Sequence, residues 1–259
     1  MRRSDAVAAA DAHTYIANSS TVSRRIQATY GISAPAVCPP RGLSPTGPRT
    51  PVPGLEPGYL LTVGRARSYK NTDVVCRAVA RLAGRRLVVV GGLPAGRWPR
   101  EVVGVHDVDD STMRWLYANA AALVAVAVED FGLTVVEAQA FGVPSVVLRD
   151  GGYLDSTVED VTGVFVDRAE PATVARGIER ALARGWDRDA IQAHGEVFAP
   201  ATFAARMRAL VAAATTGTPV PFGRPDDLDD AFAAVRAPGY ETPRLTGRPA
   251  DAPPSRLAS

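Results

Sequence analysis

Between residues 58 and 184 short apolar runs alternate with stretches whose apolar residues recur at helical spacing. YLLTVG (59–64) predicts a strand ending on a glycine, and NTDVVCRAVARLA (71–83) a helix with Asn71 or Thr72 as its cap. RLVVVGG (86–92) and EVVGVH (101–106) predict two further strands, and DSTMRWLYANA (110–120) a helix capped by Asp110 or Ser111. AALVAVAV (121–128) is apolar without interruption, as a strand buried on both faces must be. LTVVEAQAFG (133–142) is a helix stopped by Gly142, PSVVLRD (144–150) and TGVFVD (162–167) are strands, and PATVARGIERALARG (171–185) is a helix with Pro171 in its first turn. Short strands alternating with helices give the fold class: α/β, a doubly wound, Rossmann-like parallel sheet.

The flanks differ in composition. Residues 1–30 predict a short helix, a strand at 15–17, and a helix over 19–31 with Ser19 or Ser20 as cap and Gly31 as stop. Residues 31–57 are rich in proline and glycine and predict a linker. The expected division is 1–57 as crossing segment and linker, 58–214 as the ligand-binding domain, and 215–259 as a Pro-rich disordered tail with a short helix near 228–235. The opening MRRSDAVAAADAHTYI is basic, but Asp5 and Asp11 interrupt any apolar core, so no signal peptide is predicted.

Composition narrows the function. The 259 residues suit one α/β domain plus extensions rather than two full-sized ones. A net charge of +2, with scattered Lys and Arg, gives no footprint for nucleic acid. Cys38 and Cys76 form no CxxC pair, which points away from a disulfide scaffold or zinc site and toward a reducing, cytoplasmic setting. No run of roughly 18 apolar residues is present, so no membrane span is expected.

In doubly wound sheets ligands bind outside the carboxyl ends of the strands. Four polar loops follow strands and should open on that edge: GRARSYKN (64–71), GGLP (91–94), EDFGL (129–133) and DGGYLDS (150–156). In the first, Arg65, Arg67 and Lys70 precede a helix, where cations suit an anionic ligand or simply a solvated basic loop. In EDFGLTVVEAQAFGVP (129–144), Gly132 and Leu133 would offer backbone N–H groups at a helix N-terminus, a ready phosphate site. Glu137 follows Thr134 by three, so Thr-Val-Val-Glu also reads as a capping box. Glu129 ends a buried strand, where a carboxylate needs solvent or a ligand, and a carboxylate accepts two sugar hydroxyls readily. The glycine pair in DGGYLDS allows close backbone approach to a ligand, or a plain turn. GGLP lacks the G-x-G-x-x-G spacing of a nicotinamide-dinucleotide site, and His13, His106 and His194 form no ligand pattern.

Taken together, Glu129, FGL, Glu137 and AQAFGVP resemble the Glu-x7-Glu motif of retaining glycosyltransferases of the GT-B fold, the large family 4. YIANSSTVSRRIQATYG with Cys38-Pro39-Pro40, LLTVGRARSYKN, VVGVHDVDDSTMRWLYANAAALV and GGYLDSTVEDVTGVFV match that family in order, over roughly residues 11–212. The resemblance implies the C-terminal, donor-binding half of a GT-B fold, acting on a nucleotide-diphosphate sugar. It implies that Arg65 and Lys70 hold the diphosphate and that Glu129 contacts the transferred sugar. Glu137 would bind the ribose hydroxyls, the amides of Phe131, Gly132, Leu133 and Thr134 would touch sugar and phosphate, and the backbone at Val103 and Val105 would frame the base. No metal or other cofactor is implied. The wording of EDFG…VEAQA resembles bacterial mannosyl and related transferases of polysaccharide assembly, with a glycan or lipid-linked acceptor.

Two departures stand out. Asp155 replaces a usual glutamate, and only about ten residues precede the crossing segment, where the family has an acceptor-binding N-terminal domain. The expectation is therefore a donor-binding half that is a shortened gene product, a module completed by a separate acceptor domain, or an inactive remnant. Peripheral membrane association is expected only through that other half.

Overall fold

In the computed structural model of this chain the described residues are 7–9, 12, 14–64 and 68–216. Arg65, Arg67 and the tail beyond residue 216 lie outside them. The six apolar runs become six strands: β1 (Tyr59–Val63), β2 (Leu87–Val90), β3 (Val102–Val105), β4 (Ala120–Ala125), β5 (Ser145–Leu148) and β6 (Gly163–Val166). They form one parallel sheet in the order β3-β2-β1-β4-β5-β6. The doubly wound α/β architecture predicted from the pattern is thus the observed one.

The helices are α1 (Ser20–Tyr30), α2 (Thr72–Val79), α3 (Asp110–Asn119), α4 (Leu133–Ala140), α5 (Tyr153–Ser156), α6 (Pro171–Ala183), α7 (Arg188–Gly195) and α8 (Pro200–Thr216). They cover both faces of the sheet, which is why Leu61, Leu87, Leu123 and Val124 are fully buried. Each such side chain contributes about 1.5–3 kcal/mol relative to exposure. Pro171 opens α6, and Gly31, with φ of 71°, closes α1 in a left-handed C-cap. Ser19, rather than Ser20, caps α1, its hydroxyl accepting from Val22 N.

Several predicted caps move by one residue or change partner. Asp109, not Asp110 or Ser111, caps α3, because its carboxylate accepts from Thr112 N at 2.7 Å. Gly132 is the N-cap of α4, so Thr134 lies inside the first turn and Glu137 cannot close a capping box with it. Helices α7 and α8 were not legible as periodic segments. Their apolar positions serve packing on α4 and a small cluster formed by Cys38, Phe131, Val136 and Phe198.

Within the stretch 31–57, read as a linker, residues 41–57 form a strap packed onto the domain. Leu43 and Leu55 join the main core, Thr50 bonds Ser111 through both backbone and hydroxyl, and Arg114 donates to Ser44 O at 2.9 Å. Its prolines fix the extended path and its few apolar residues do the docking. Residues 14–37 carry α1 between two extended pieces that meet only at the parallel bridge Ala17–Ala36.

One apolar helical run bears on the expected absence of a membrane span. The helical run Arg188–Thr216 is long and apolar enough to cross a membrane. Alanine carries its hydropathy, and Arg206 and Arg208 break it into pieces shorter than an uninterrupted apolar run. In this fold α7 packs on α4, while most of α8 is exposed.

His194 on α7 is 1% exposed and bonds Gln139 of α4 at 2.9 Å, and Gln139 donates on to Ser156 O. Burial pulls the imidazole down from its ordinary 6.5 to about 4. A depressed pKa means the folded state holds the neutral ring, so this contribution is whole above pH 6.5 and is lost as pH falls toward 4. Urea unfolding of the native chain and of His194→Gln across that window should diverge, the native chain losing about 3 kcal/mol more by pH 4. Parallel pH profiles would refute the neutral-histidine account.

Candidate functional site

The strand order reverses between β1 and β4, the place where the carboxyl edge of a doubly wound sheet opens a crevice. The pairing shows how. β1 stays paired with β2 to the end, Val63 opposite Val90, but its pairing with β4 stops at Leu61 opposite Leu123. Beyond those residues β1 and β4 part, and their loops face each other across the gap.

Lys70 arrives from the β1 side, at the end of a 3-10 turn spanning Ser68–Lys70. Glu129 arrives from the β4 side. Their side chains form an ion pair across the gap, each about a quarter exposed. The two charged residues singled out on opposite sides of the crevice are therefore brought together. Lys70 lies along Gly64, its Cγ and Cδ 3.5 Å from the place a Cβ would take, and its ammonium is 5.1 Å from the Tyr69 ring. Asn71, expected to cap α2, instead donates from Nδ2 to Val126 O at 2.9 Å, a second link across the gap.

Glycine sets the shape of the Glu129 loop. Gly152 N donates to Glu129 O at 2.9 Å, and a Cβ on Gly152 would stand 2.2 Å from Phe131 Cα. A Cβ on Gly151, where φ is 63°, would stand 2.3 Å from Glu129 O. What the DGG turn approaches so closely is thus the backbone of the EDFG loop. Phe131 turns its ring inward, 3% exposed and 5.7 Å from the Phe198 ring, leaving only its backbone for a ligand. Gly132, with φ of 92°, starts α4, and the amides of Leu133 and Thr134 fall in the first turn, where a helix leaves N–H groups without intrahelical acceptors. Lys70, those amides and the positive end of α4 make the crevice suited to an anion.

Glu137 lies one turn further along α4. Its Oε2 accepts from the Tyr117 hydroxyl at 2.9 Å, and its Oε1 lies 3.1 Å from the place a Cβ on Gly42 would take, so the backbone at Gly42 and Leu43 borders the carboxylate. Burial pushes this carboxyl up, against the pull of that hydroxyl and backbone. Burial, followed by the Glu137 charge, pushes the Tyr117 phenol up as well. A carboxylate offers about four acceptor sites, so these neighbours leave it room for a further hydroxyl. Sequence reasoning missed Tyr117, Gly42 and Leu43 because nothing in local spacing joins the strap, α3 and α4.

Val103 and Val105 lie in β3, the edge strand, two strands from the crevice or roughly 10 Å away. Val105 ends the strand on the correct edge, while Val103 is mid-strand and opposite Val88. His106 follows and packs against Gly92. Asp155, the departure noted above, is 7% exposed and accepts from Ser20 N at 2.7 Å, so it ties the N-terminus of α1 to the DGG loop. Arg25 of α1 adds an exposed ion pair with Asp130. Among the described residues no group of three or more His, Cys, Asp or Glu side chains is placed to hold a metal ion.

Comparison with known proteins follows the same map. Residues 51–196 match the family model described as glycosyl transferases group 1. A D-inositol 3-phosphate glycosyltransferase of Mycobacterium sp. (strain KMS) is 34% identical over 151 residues, 51% of this chain and 34% of that protein. The protein of the same name from Nocardiopsis dassonvillei is 35% identical over 202 residues, 65% of this chain and 47% of its own length. The chain thus spans about half, or less, of the curated relatives it matches. Among solved structures, a glycosyltransferase from Rickettsia africae superposes with a TM-score of 0.69 at 18% identity, over 84% of this chain and 69% of that one. Anabaena HepE, solved with UDP and glucose, superposes at 0.63 and 18% identity over 78% and 63%. These structures share the GT-B fold.

If backbone contact explains the DGG turn, Gly152→Ala must displace the EDFG loop. Chemical denaturation should show a loss of about 1–3 kcal/mol, typical of overpacking. Gly185→Ala, where a Cβ meets nothing within 4 Å, is the control and should stay within about 0.5 kcal/mol of native. Equal values for the two variants would contradict the contact.

Proposed function

Because the chain belongs to the glycosyl transferases of group 1, we propose that it is a donor-binding half that takes a nucleotide-diphosphate sugar in the crevice between β1 and β4. The observation that carries this reading is the meeting of Lys70, Glu129 and the N-terminus of α4 where the strand order reverses. Lys70 and the first-turn amides of α4 take the diphosphate, exchanging one anionic partner of the ammonium for another. Glu129, released, accepts hydroxyls of the transferred hexose. Glu137, already oriented by Tyr117 and the strap, takes the ribose diol. The base lies toward β3. The UDP held by the Anabaena neighbour supports a nucleoside diphosphate as the shared element.

In the transfer, the sugar C1–O bond to the diphosphate breaks and a bond forms from C1 to an acceptor hydroxyl oxygen. The hydroxyl proton passes to the leaving phosphate. Lys70 and the α4 dipole stabilise the charge that develops there, which is the step where preorganised donors count most. Attack from the face the leaving group vacates retains configuration. We assign the acceptor to glycans or lipid-linked sugars, and the relatives' name adds a phosphorylated polyol to that range. Both cysteines are free and buried, in keeping with a reducing cytoplasmic setting.

A second reading, a nucleotide-sugar-binding module that acts with a separate acceptor domain, also has an observation behind it. Tyr69, Leu93, Val128, Leu133 and Leu154 are each more than a third exposed, and all lie in the loops or first helical turns that follow β1, β2, β4 and β5 at the carboxyl edge. Apolar side chains gathered on one edge suit a covering partner.

Calorimetric titration of the folded chain with GDP, UDP and ADP tests both readings. One of the three should bind, with Lys70→Ala weakening it at least tenfold, the scale of a lost charged hydrogen bond of about 1.5–3 kcal/mol. Glu137→Ala should weaken it comparably. Saturable binding without transfer or hydrolysis of the matching nucleotide sugar would favour the module. No binding of any nucleotide would remove the donor site.

A further inference from the structure

Asn71 has a backbone conformation that few side chains adopt, with φ of 52° and ψ of 28°. Such strain persists only where the surroundings enforce it, and it gathers at functional sites. The residue stands at the N-cap position of α2 but makes no side-chain cap there. Its amide is used elsewhere, donating 2.9 Å to the carbonyl of Val126, the first residue beyond β4.

The location gives this bond its meaning. The β1–β4 ladder ends at Leu61 and Leu123, so the last residues of the two strands pair with β2 and β5 but not with each other. The Asn71 amide stands in for the missing rung. It joins the loop that carries Lys70 to the loop that carries Glu129, one residue from the first and three from the second.

The other link across the gap is the Lys70–Glu129 ion pair. That link is charged, and an arriving diphosphate competes for its ammonium. The Asn71 link is neutral, so it is the one an anionic ligand leaves in place. Lys70 has a long stem with about 1.5–2 kcal/mol of rotamer entropy to lose, and a fixed base limits how far its ammonium wanders. We propose that Asn71 is a positioning residue: its amide clasps the carboxyl ends of β1 and β4 together and so holds Lys70 over the place where a diphosphate binds. This rests on the donor-site reading above for its ligand, and on the Asn71–Val126 bond for its mechanism.

Asn71→Gly is the informative variant, because glycine adopts the same φ without strain and removes only the amide. Asn71→Asp is its companion, since aspartate tolerates the left-handed region but cannot donate to a carbonyl. Two measurements are made on each. The first is amide hydrogen exchange of the ligand-free chain, followed by mass spectrometry. Loss of the clasp should speed exchange both at 68–73 and, across the gap, at 126–132, with the melting temperature little changed. The second is affinity for whichever nucleoside diphosphate the native chain binds, which should fall about fivefold, the size of one neutral hydrogen bond.

Unchanged exchange at 126–132 in both variants would overturn the clasp, whatever the affinities. Faster exchange there with native affinity would overturn the positioning of Lys70. If the native chain binds no nucleotide, the donor-site reading fails and Asn71 loses its positioning role, while the exchange data still decide whether the clasp exists.

Discussion

The parallel pairing of β1 with β4 is the contact on which the rest of the molecule depends, and so is the point where it stops. Up to Leu61 and Leu123 it is an ordinary ladder between two buried strands. Past those residues the chain leaves in opposite directions, to β2 on one side and β5 on the other. A parallel sheet with right-handed crossovers must place its helices on both faces once the winding reverses, and the two loops at the reversal cannot cover one another. The crevice is a topological necessity before it is a binding site. What the sequence adds is the chemistry of its walls: a lysine from one loop, a glutamate from the other, and a helix start behind them.

Those walls are held from outside by unlike means. The Glu129 loop is fixed by backbone packing against Gly151 and Gly152, where no side chain fits. The Glu137 carboxylate is fixed by the Tyr117 hydroxyl of α3 and bordered by the strap. In the second arrangement the Tyr117 hydroxyl and the bordering backbone offset part of the cost of burying a carboxylate. The strap therefore does more than connect. The backbone at Gly42 and Leu43 pulls the Glu137 carboxyl down, against the burial that pushes it up.

The strands were legible because each is a run of β-branched and other apolar residues too short for a helix, bounded by glycine or a polar turn. The convergence of Lys70 with Glu129 was legible too, since strand-loop-helix order alone puts both loops on one edge. The caps were read less well. Asp109 and Asp110 are adjacent and chemically alike, and only the backbone angles choose between them. Asn71 stands at the N-cap expected of it, but its side chain, like the Glu137 carboxylate, passes over a plausible local partner and bonds a distant one in space. Helices α7 and α8 escaped notice because their packing partners lie in α4 and in the Cys38–Phe198 cluster, so their apolar pattern is broken by positions that face no core.

Helix α1 has no fully buried residue. It is held by Asp155 at its first turn, by the exposed pair Arg25–Asp130, and by its neighbours Ala17 and Ser19. A helix of 11 residues gains little from its own hydrogen bonds in water, and an exposed ion pair adds only about 0–1 kcal/mol. With so little apolar area behind it, α1 rests on polar contacts, the mark of a segment at the low end of local stability. Of these contacts the exposed Arg25–Asp130 pair is the one that salt screens, so part of what holds this helix at the rim of the crevice depends on ionic strength.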